Sequence, residues 1–324
     1  FAAENSNQVV NIPDKNLREA ILKKLNKNSN YTITKKDLES ITNLDATTLQ
    51  ISNLSGLEYC VNIECLALDE NQISNLSPLA NLSNLTELSL NDNKIIDLSP
   101  LSNLKNLEML FCEENQISDL SPLANLTKLN DLALGYNLID DISPLSNLIN
   151  LAQLSLQHDK ISDLSYLTNL TKLRNLNLDS NKISDLIPLA KLKNLDTLYL
   201  SNNKIDDISP LSNLTNLTCI YIDNNYIEDI SPFAELTKLE ILWLHNNRIY
   251  YISPLSKLVN LSELTLNDQN IFLLEKYFSD FPKLINPIKD IDGKAITSIY
   301  YISGKGIYDA TSNTLTWPNI HEDA

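Results

Sequence analysis

An asparagine returns every 22 residues: Asn71, Asn93, Asn115, Asn137, Asn181, Asn203, Asn225 and Asn247, with Asp159 and Gln269 at the two other places the step marks out. Two residues after each comes an isoleucine, from Ile73 through Ile95, Ile117, Ile139, Ile161, Ile183, Ile205, Ile227 and Ile249 to Ile271. No insertion breaks the count across ten copies, and the strings themselves nearly coincide. LSLNDNKIIDLSP starts at 88, LNLDSNKISDLIP at 176 and LYLSNNKIDDISP at 198. A fixed period of about 20 to 50 residues means one block stacked on copies of itself, since a single copy cannot bury its apolar side alone. Such a block is scaffold, and the working surface has to lie in the positions that vary.

The physics of one repeat can be read from residues 85–106. Leu85, Leu88 and Leu90 point inward, the last two on a short strand whose side chains alternate in and out. Asn93 turns the chain, and its amide, both donor and acceptor, can satisfy backbone groups in a buried turn. Stacked copies would form an asparagine ladder. Ile95, Leu98, Leu101 and Leu104 refill the interior from the far side. Ser99-Pro100 suits a helix start, with Ser as the cap and Pro at the first position, and Ser-Pro recurs at 77, 121, 143, 209, 231 and 253. The stretch between this pair and the next strand is too short for a long helix, so 3₁₀ or single-turn pieces are expected. The pattern L-x-x-L-x-L-x-x-N is that of a leucine-rich repeat, and the fold class is an α/β solenoid with a concave parallel β-sheet and short helices on its convex side.

An open array needs its ends covered. Residues 1–40 read as a helical cap, where PDKNLREAILKKLN sets Leu17, Ile21 and Leu25 on one face behind Asp14, and Thr34 and Asp37 have capping-box spacing. Repeats occupy 41–278. The period then stops, and 279–324 holds β-branched and aromatic runs between turn residues, read as two or three strands either of a β cap completing the array or of a domain that is cut off. SGKG at 303–306 is a hairpin turn rather than a phosphate loop, and the small polar start at Phe1 reads as a processed secreted chain.

A formal charge of −16 excludes a nucleic-acid backbone and an anionic membrane surface as partners. Five glycines are too few for a nucleotide-cradling fold, and no apolar run approaches the roughly 20 residues of a spanning helix.

The helical cap NIPDKNLREAILKKL, the 22-residue repeat and the tail KDIDGKAITSIYYISGKGIYDATSNTLTW occur in that order. In this they resemble the internalins, secreted or wall-attached leucine-rich-repeat proteins of Gram-positive bacteria. The resemblance covers nearly the whole chain. It implies that the tail opens an immunoglobulin-like region, and that recognition of a host-cell surface protein takes place on the concave sheet, without catalysis or cofactor. No wall-sorting motif is present.

Specificity is then sought in the outward strand positions. Tyr199, Tyr221 and Trp243 fall in one lane on consecutive repeats, which sets three rings side by side as binding anchors. The plainer reading is that they stack on one another and merely cover the sheet. Phe111 lies in the same lane, with Met109 beside it and Tyr136 just past the next strand. Glu87, Glu113 and Asp131, with Glu70, Asp92 and Glu114, make the first half of this face acidic. Such charge either keeps a secreted rod soluble or steers a basic partner. His245 falls near Asp223 of the preceding repeat, a polar contact rather than a catalytic dyad. No Cys/His cluster has zinc spacing. Cys60 and Cys112 replace inward leucines, whereas Cys65 and Cys219 are seven repeats apart on the face. Four free thiols are unusual outside the cell. The reading is a monomeric, non-enzymatic adhesion or invasion module, secreted or on the bacterial surface, with no nucleic-acid or membrane partner. The alternative is an intracellular regulator of an enzyme such as a protein phosphatase.

Overall fold

The computed structural model describes residues 7–249, 252–266, 268–269 and three short strands beyond them. The chain divides into two compact units, Phe1–Ile161 and Ser162–Ala324.

The first unit opens with helix α1, Lys15–Lys24, and helix α2, Lys35–Glu39. Asp14 caps α1 as the sequence suggests, its Oδ1 accepting the amides of Asn16 and Leu17 at 3.0 and 3.1 Å. Its other oxygen accepts the amides of Ser52 and Asn53 at 2.9 and 3.2 Å, which ties the cap to the first repeat. Those hydrogen bonds hold the Asp14 carboxyl below its usual range although burial pulls the other way. Thr34 and Asp37 form the capping box, and Leu17 and Ile21 are fully buried, with Leu25 half-buried at the helix end.

Six three-residue strands come next: β1 Asn43–Asp45, β2 Cys65–Ala67, β3 Glu87–Ser89, β4 Met109–Phe111, β5 Asp131–Ala133 and β6 Gln153–Ser155. They pair in parallel and in chain order, and each register shift is one repeat, so that Leu66, Leu88, Leu110, Leu132 and Leu154 lie side by side in the core. The second unit continues the pattern with β7 Asn175–Asn177, β8 Thr197–Tyr199, β9 Cys219–Tyr221, β10 Ile241–Trp243 and β11 Glu263–Thr265, again parallel and in order. In nearly every strand the middle residue is buried and its neighbours face outward.

The asparagine ladder is present and complete at each buried Asn for which the full set of bonds is described. Asn93 accepts the Ile73 amide at 2.9 Å and donates to the carbonyls of Leu68, Leu90 and Asn91 at 3.0 to 3.1 Å. Gln269, one methylene longer, still accepts from Ile249 and donates to Leu244 and Leu266. One residue before each ladder position the backbone turns left-handed, with φ between 49° and 58° from Glu70 through Tyr136 and His158 to Asp268. Asn, Asp and Ser tolerate that conformation, while a bulky Tyr is strained there.

Between strands run 3₁₀ turns such as Ser99–Leu101 and Ser121–Leu123. Their capping differs from the sequence reading. The serine is the first helical residue, not the cap, and its amide donates to the aspartate two places earlier, Ser99 to Asp97 Oδ1 at 2.8 Å. The same Asx turn recurs at Asp119, Asp141, Asp163, Asp185, Asp207 and Asp229. A carboxylate two residues back reaches the otherwise orphaned amide, which the serine hydroxyl would have to leave the turn to do.

Cys60 and Cys112 are fully buried in leucine places, where burial pushes both thiols up, Cys60 to about 12. Leu284–Ile285 (β12), Ile307–Asp309 (β13) and Thr314–Thr316 (β14) form an antiparallel sheet in the order β12-β14-β13. The remainder of the 279–324 segment, SGKG included, and residues 1–6 lie outside the described residues.

Candidate protein-binding face

In the second unit the register makes Tyr199, Tyr221 and Trp243 direct neighbours on β8, β9 and β10. The two tyrosine rings stack at 4.5 Å with 4° between their planes. Trp243 meets Tyr221 edge-on at 4.9 Å and 80°, and its indole N–H donates to Glu263 Oε1 at 2.7 Å. All three rings are half-buried, and burial raises both phenols above their ordinary pKa. The row is therefore fixed by its own contacts, with a turned indole that lane counting does not reveal.

Beside it runs a polar chain. His245 Nε2 lies 3.3 Å from Asp223 Oδ2, as the spacing suggests, and its Nδ1 is 3.4 Å from the Thr265 hydroxyl. Asp223 is buried, and its Oδ1 accepts the Ser201 hydroxyl at 2.8 Å. The Ser201 amide donates to Asp179 Oδ1 at 2.6 Å. Burial and the nearby charge of Asp223 push the Asp179 carboxyl up to about 6, against the pull of its hydrogen bonds from Ser201. Ser, His and Asp thus meet in an order that activates nothing, because the hydroxyl donates to the carboxylate and not to the imidazole.

In the first unit Glu87, Met109 and Asp131 are register neighbours in one outward lane, and Phe111 stands in the next between Ser89 and Ala133, two side chains too small to stack on it. The Asp131 carboxyl is raised by burial and by the charge of Glu113. Tyr136 is elsewhere. It sits at the left-handed turn position, 46% exposed, with its ring stacked on His158 at 4.2 Å and 14°. Sequence reading missed His158 as its partner, although both fall one place before the ladder residue.

Glu113 also has a partner that spacing does not expose. Gln157 Nε2 donates to Glu113 Oε1 at 2.8 Å, reaching across the intervening repeat. It can do so because Gly135 lies between them, where an added Cβ would be 2.3 Å from Gln157 Cδ. Gly135→Ala is expected to displace Gln157, break this hydrogen bond and cost about 1 kcal/mol, read from the urea midpoint. Adding Gln157→Ala to Gly135→Ala should leave no further loss beyond that of Gln157→Ala alone, and full additivity would refute the contact.

No outward strand position in either unit is Lys or Arg. Among the described residues no three His, Cys, Asp or Glu side chains gather as a metal site, and no helix is long and apolar enough to cross a membrane. The four cysteines are free.

The family model for leucine-rich repeats (two copies) matches residues 83–125, 105–147 and 193–235. No curated protein matches the sequence. Among solved structures, an internalin (inlF) from Listeria monocytogenes is 39% identical, with 80% of this chain and 84% of that one covered and a TM-score of 0.72. Internalin C2 (inlC2) from the same species is 40% identical, with 65% and 93% covered and a TM-score of 0.63. A leucine-rich-repeat protein of Leptospira interrogans, 21% identical over 82% and 85% with a TM-score of 0.56, shares the fold. With the repeat, the helical cap and this identity in agreement, the chain belongs to the internalin family of leucine-rich-repeat proteins.

Proposed function

We propose that this protein is a secreted or surface-displayed adhesin that captures a host-cell surface protein through the outward face of its strands, without catalysis. One observation carries the reading: Tyr199, Tyr221 and Trp243 form a row already locked by mutual stacking and by Glu263. Rings that are ordered before binding surrender little entropy when covered, and they offer a large contact area. Phe111, Met109 and the Tyr136–His158 stack are further anchors in the first unit. Carboxylates without Lys or Arg among them favour a basic partner and an association rate that falls with salt. Residues 1–40 then serve as the cap, 41–278 as the binding array and 279–324 as the start of an immunoglobulin-like region.

Capture from host-cell surface extracts tests this. Changing Tyr199, Tyr221 and Trp243 together to Ser is expected to weaken capture by at least about tenfold, the loss of two or more anchors. Undiminished capture would sink the reading. Four free thiols favour an intracellular enzyme regulator as the second reading, and finding the intact chain inside the producing cell would select it.

A further inference from the structure

We propose that the second unit holds a slot for a partner's arginine side chain, formed by the open ring face of Tyr199, the Asn177 side chain beneath it and the Asp179 carboxylate beside it. The inference rests on the outward face being a protein-binding surface, and it specifies what the partner presents there.

The slot arises from register. One face of the Tyr199 ring is covered by Tyr221, 4.5 Å away. The neighbour of Tyr199 on its other side is Asn177 of β7. An asparagine is too short to cover a phenol ring, and its Oδ1 is engaged by the Asp179 amide at 3.1 Å, which holds it along its own strand. Among the described ring contacts Tyr199 stacks only on Tyr221, so its second face, toward Asn177, carries no ring.

Asp179 supplies the charge. It lies two residues after Asn177, half-buried, close enough to Tyr199 for its charge to act on the phenol. Its Oδ1 takes the Ser201 amide at 2.6 Å, which fixes the carboxylate within reach of the Tyr199 phenol. Asp223 in the next-but-one repeat adds a like charge rather than relief. No Lys or Arg occupies an outward strand position of this unit to answer either carboxylate. Burial first, and then the charge of Asp223, raises the Asp179 carboxyl to about 6, and a cation placed beside it would favour its charged form.

Arginine suits the slot better than lysine. The guanidinium is planar and weakly hydrated, so it can lie flat on a phenol ring while an N–H in its own plane reaches the carboxylate. A lysine ammonium has no plane to stack and gives up more hydration. The chain makes the same contact internally, where the Arg248 guanidinium sits 4.6 Å from the centre of the Tyr226 ring.

The test titrates the full chain with Nα-acetyl-arginine methylamide and with its lysine counterpart, followed by proton NMR. The arginine δ-methylene signals should move upfield under the Tyr199 ring current, and arginine should bind at least about fivefold more tightly than lysine. Asp179→Asn should weaken arginine by a similar factor. Tyr199→Ser should abolish the upfield movement, Tyr199→Phe should keep it, and Glu235→Gln, remote from the strands, should change neither. Equal binding of the two compounds, or unaltered binding by Asp179→Asn, overturns the slot. Extract capture separates this from the function itself. An Asp179→Asn chain that captures its partner at full strength sinks the slot and leaves adhesion standing. An intact chain that binds the arginine compound but captures nothing leaves the slot standing and sinks adhesion.

Discussion

Asn137→Ala is expected to lower the unfolding free energy by about 3–6 kcal/mol, far more than removal of an exposed asparagine. The side chain accepts the Ile117 amide at 2.9 Å and donates to the carbonyls of Cys112 and Leu134 at 2.9 and 2.7 Å and to that of Gly135 at 3.3 Å. These groups belong to two repeats and lie in the buried turn, so alanine leaves a donor and at least two acceptors without partners where water does not enter freely. Asn106 supplies the control. Its amide donates to the Ser83 carbonyl at 2.8 Å in an exposed place, where water replaces a lost bond. Asn106→Ala is expected to cost less than about 1 kcal/mol. Urea titration followed by circular dichroism compares the two, and equal losses would reduce the ladder to ordinary surface hydrogen bonding.

The ladder also explains why so much of the fold could be read in the letters. A strict step of 22 makes each residue's neighbour the residue 22 places on, so register, lanes and inward positions all come from one alignment. The row of Tyr199, Tyr221 and Trp243 was legible for that reason, as was the approach of His245 to Asp223. What remained hidden depends on side-chain torsions and reach. Trp243 turns edge-on because its indole N–H finds Glu263 one strand away. Gln157 reaches Glu113 two strands away only because Gly135 offers no Cβ. Ser201 joins Asp223 through a hydroxyl whose direction no spacing fixes. The Asx turns had a sequence signal in the recurring D-[IL]-S-P, but local bonding by Ser and Asp competes for the same cap and only geometry decides between them. Tyr136 and His158 are the reverse case. Their position is left-handed, a conformation that Asn, Asp and His adopt more readily than other side chains, so Tyr136 is the departure there, and its stack on His158 shows only in the geometry.

Asp159→Asn is expected to stabilise the chain, and by an amount that grows with pH. Asp159 occupies a ladder position, and its Oδ1 accepts the Ile139 amide at 2.9 Å as each asparagine would. Its second oxygen has no hydrogen-bond partner, since the place that the amide group fills elsewhere is ringed by carbonyls, which repel a carboxylate. Burial drives its pKa from 3.8 up to about 7, although the backbone amides of Ile139 and Asn137 pull it down. A folded-state pKa above the unfolded one means that the native chain holds this proton more tightly. The stability tied to it is whole below pH 3.8, drains away as pH rises through the interval, and is gone above about 7. The loss is on the order of 4 kcal/mol. Asparagine carries no charge to bury and donates to those carbonyls at every pH. Urea midpoints of the two proteins should therefore diverge between pH 4 and 8, with the native chain falling away from Asp159→Asn as the proton leaves. Parallel curves over that range would mean that the second oxygen of Asp159 is compensated when charged, and that the break in the ladder is only a change of letter.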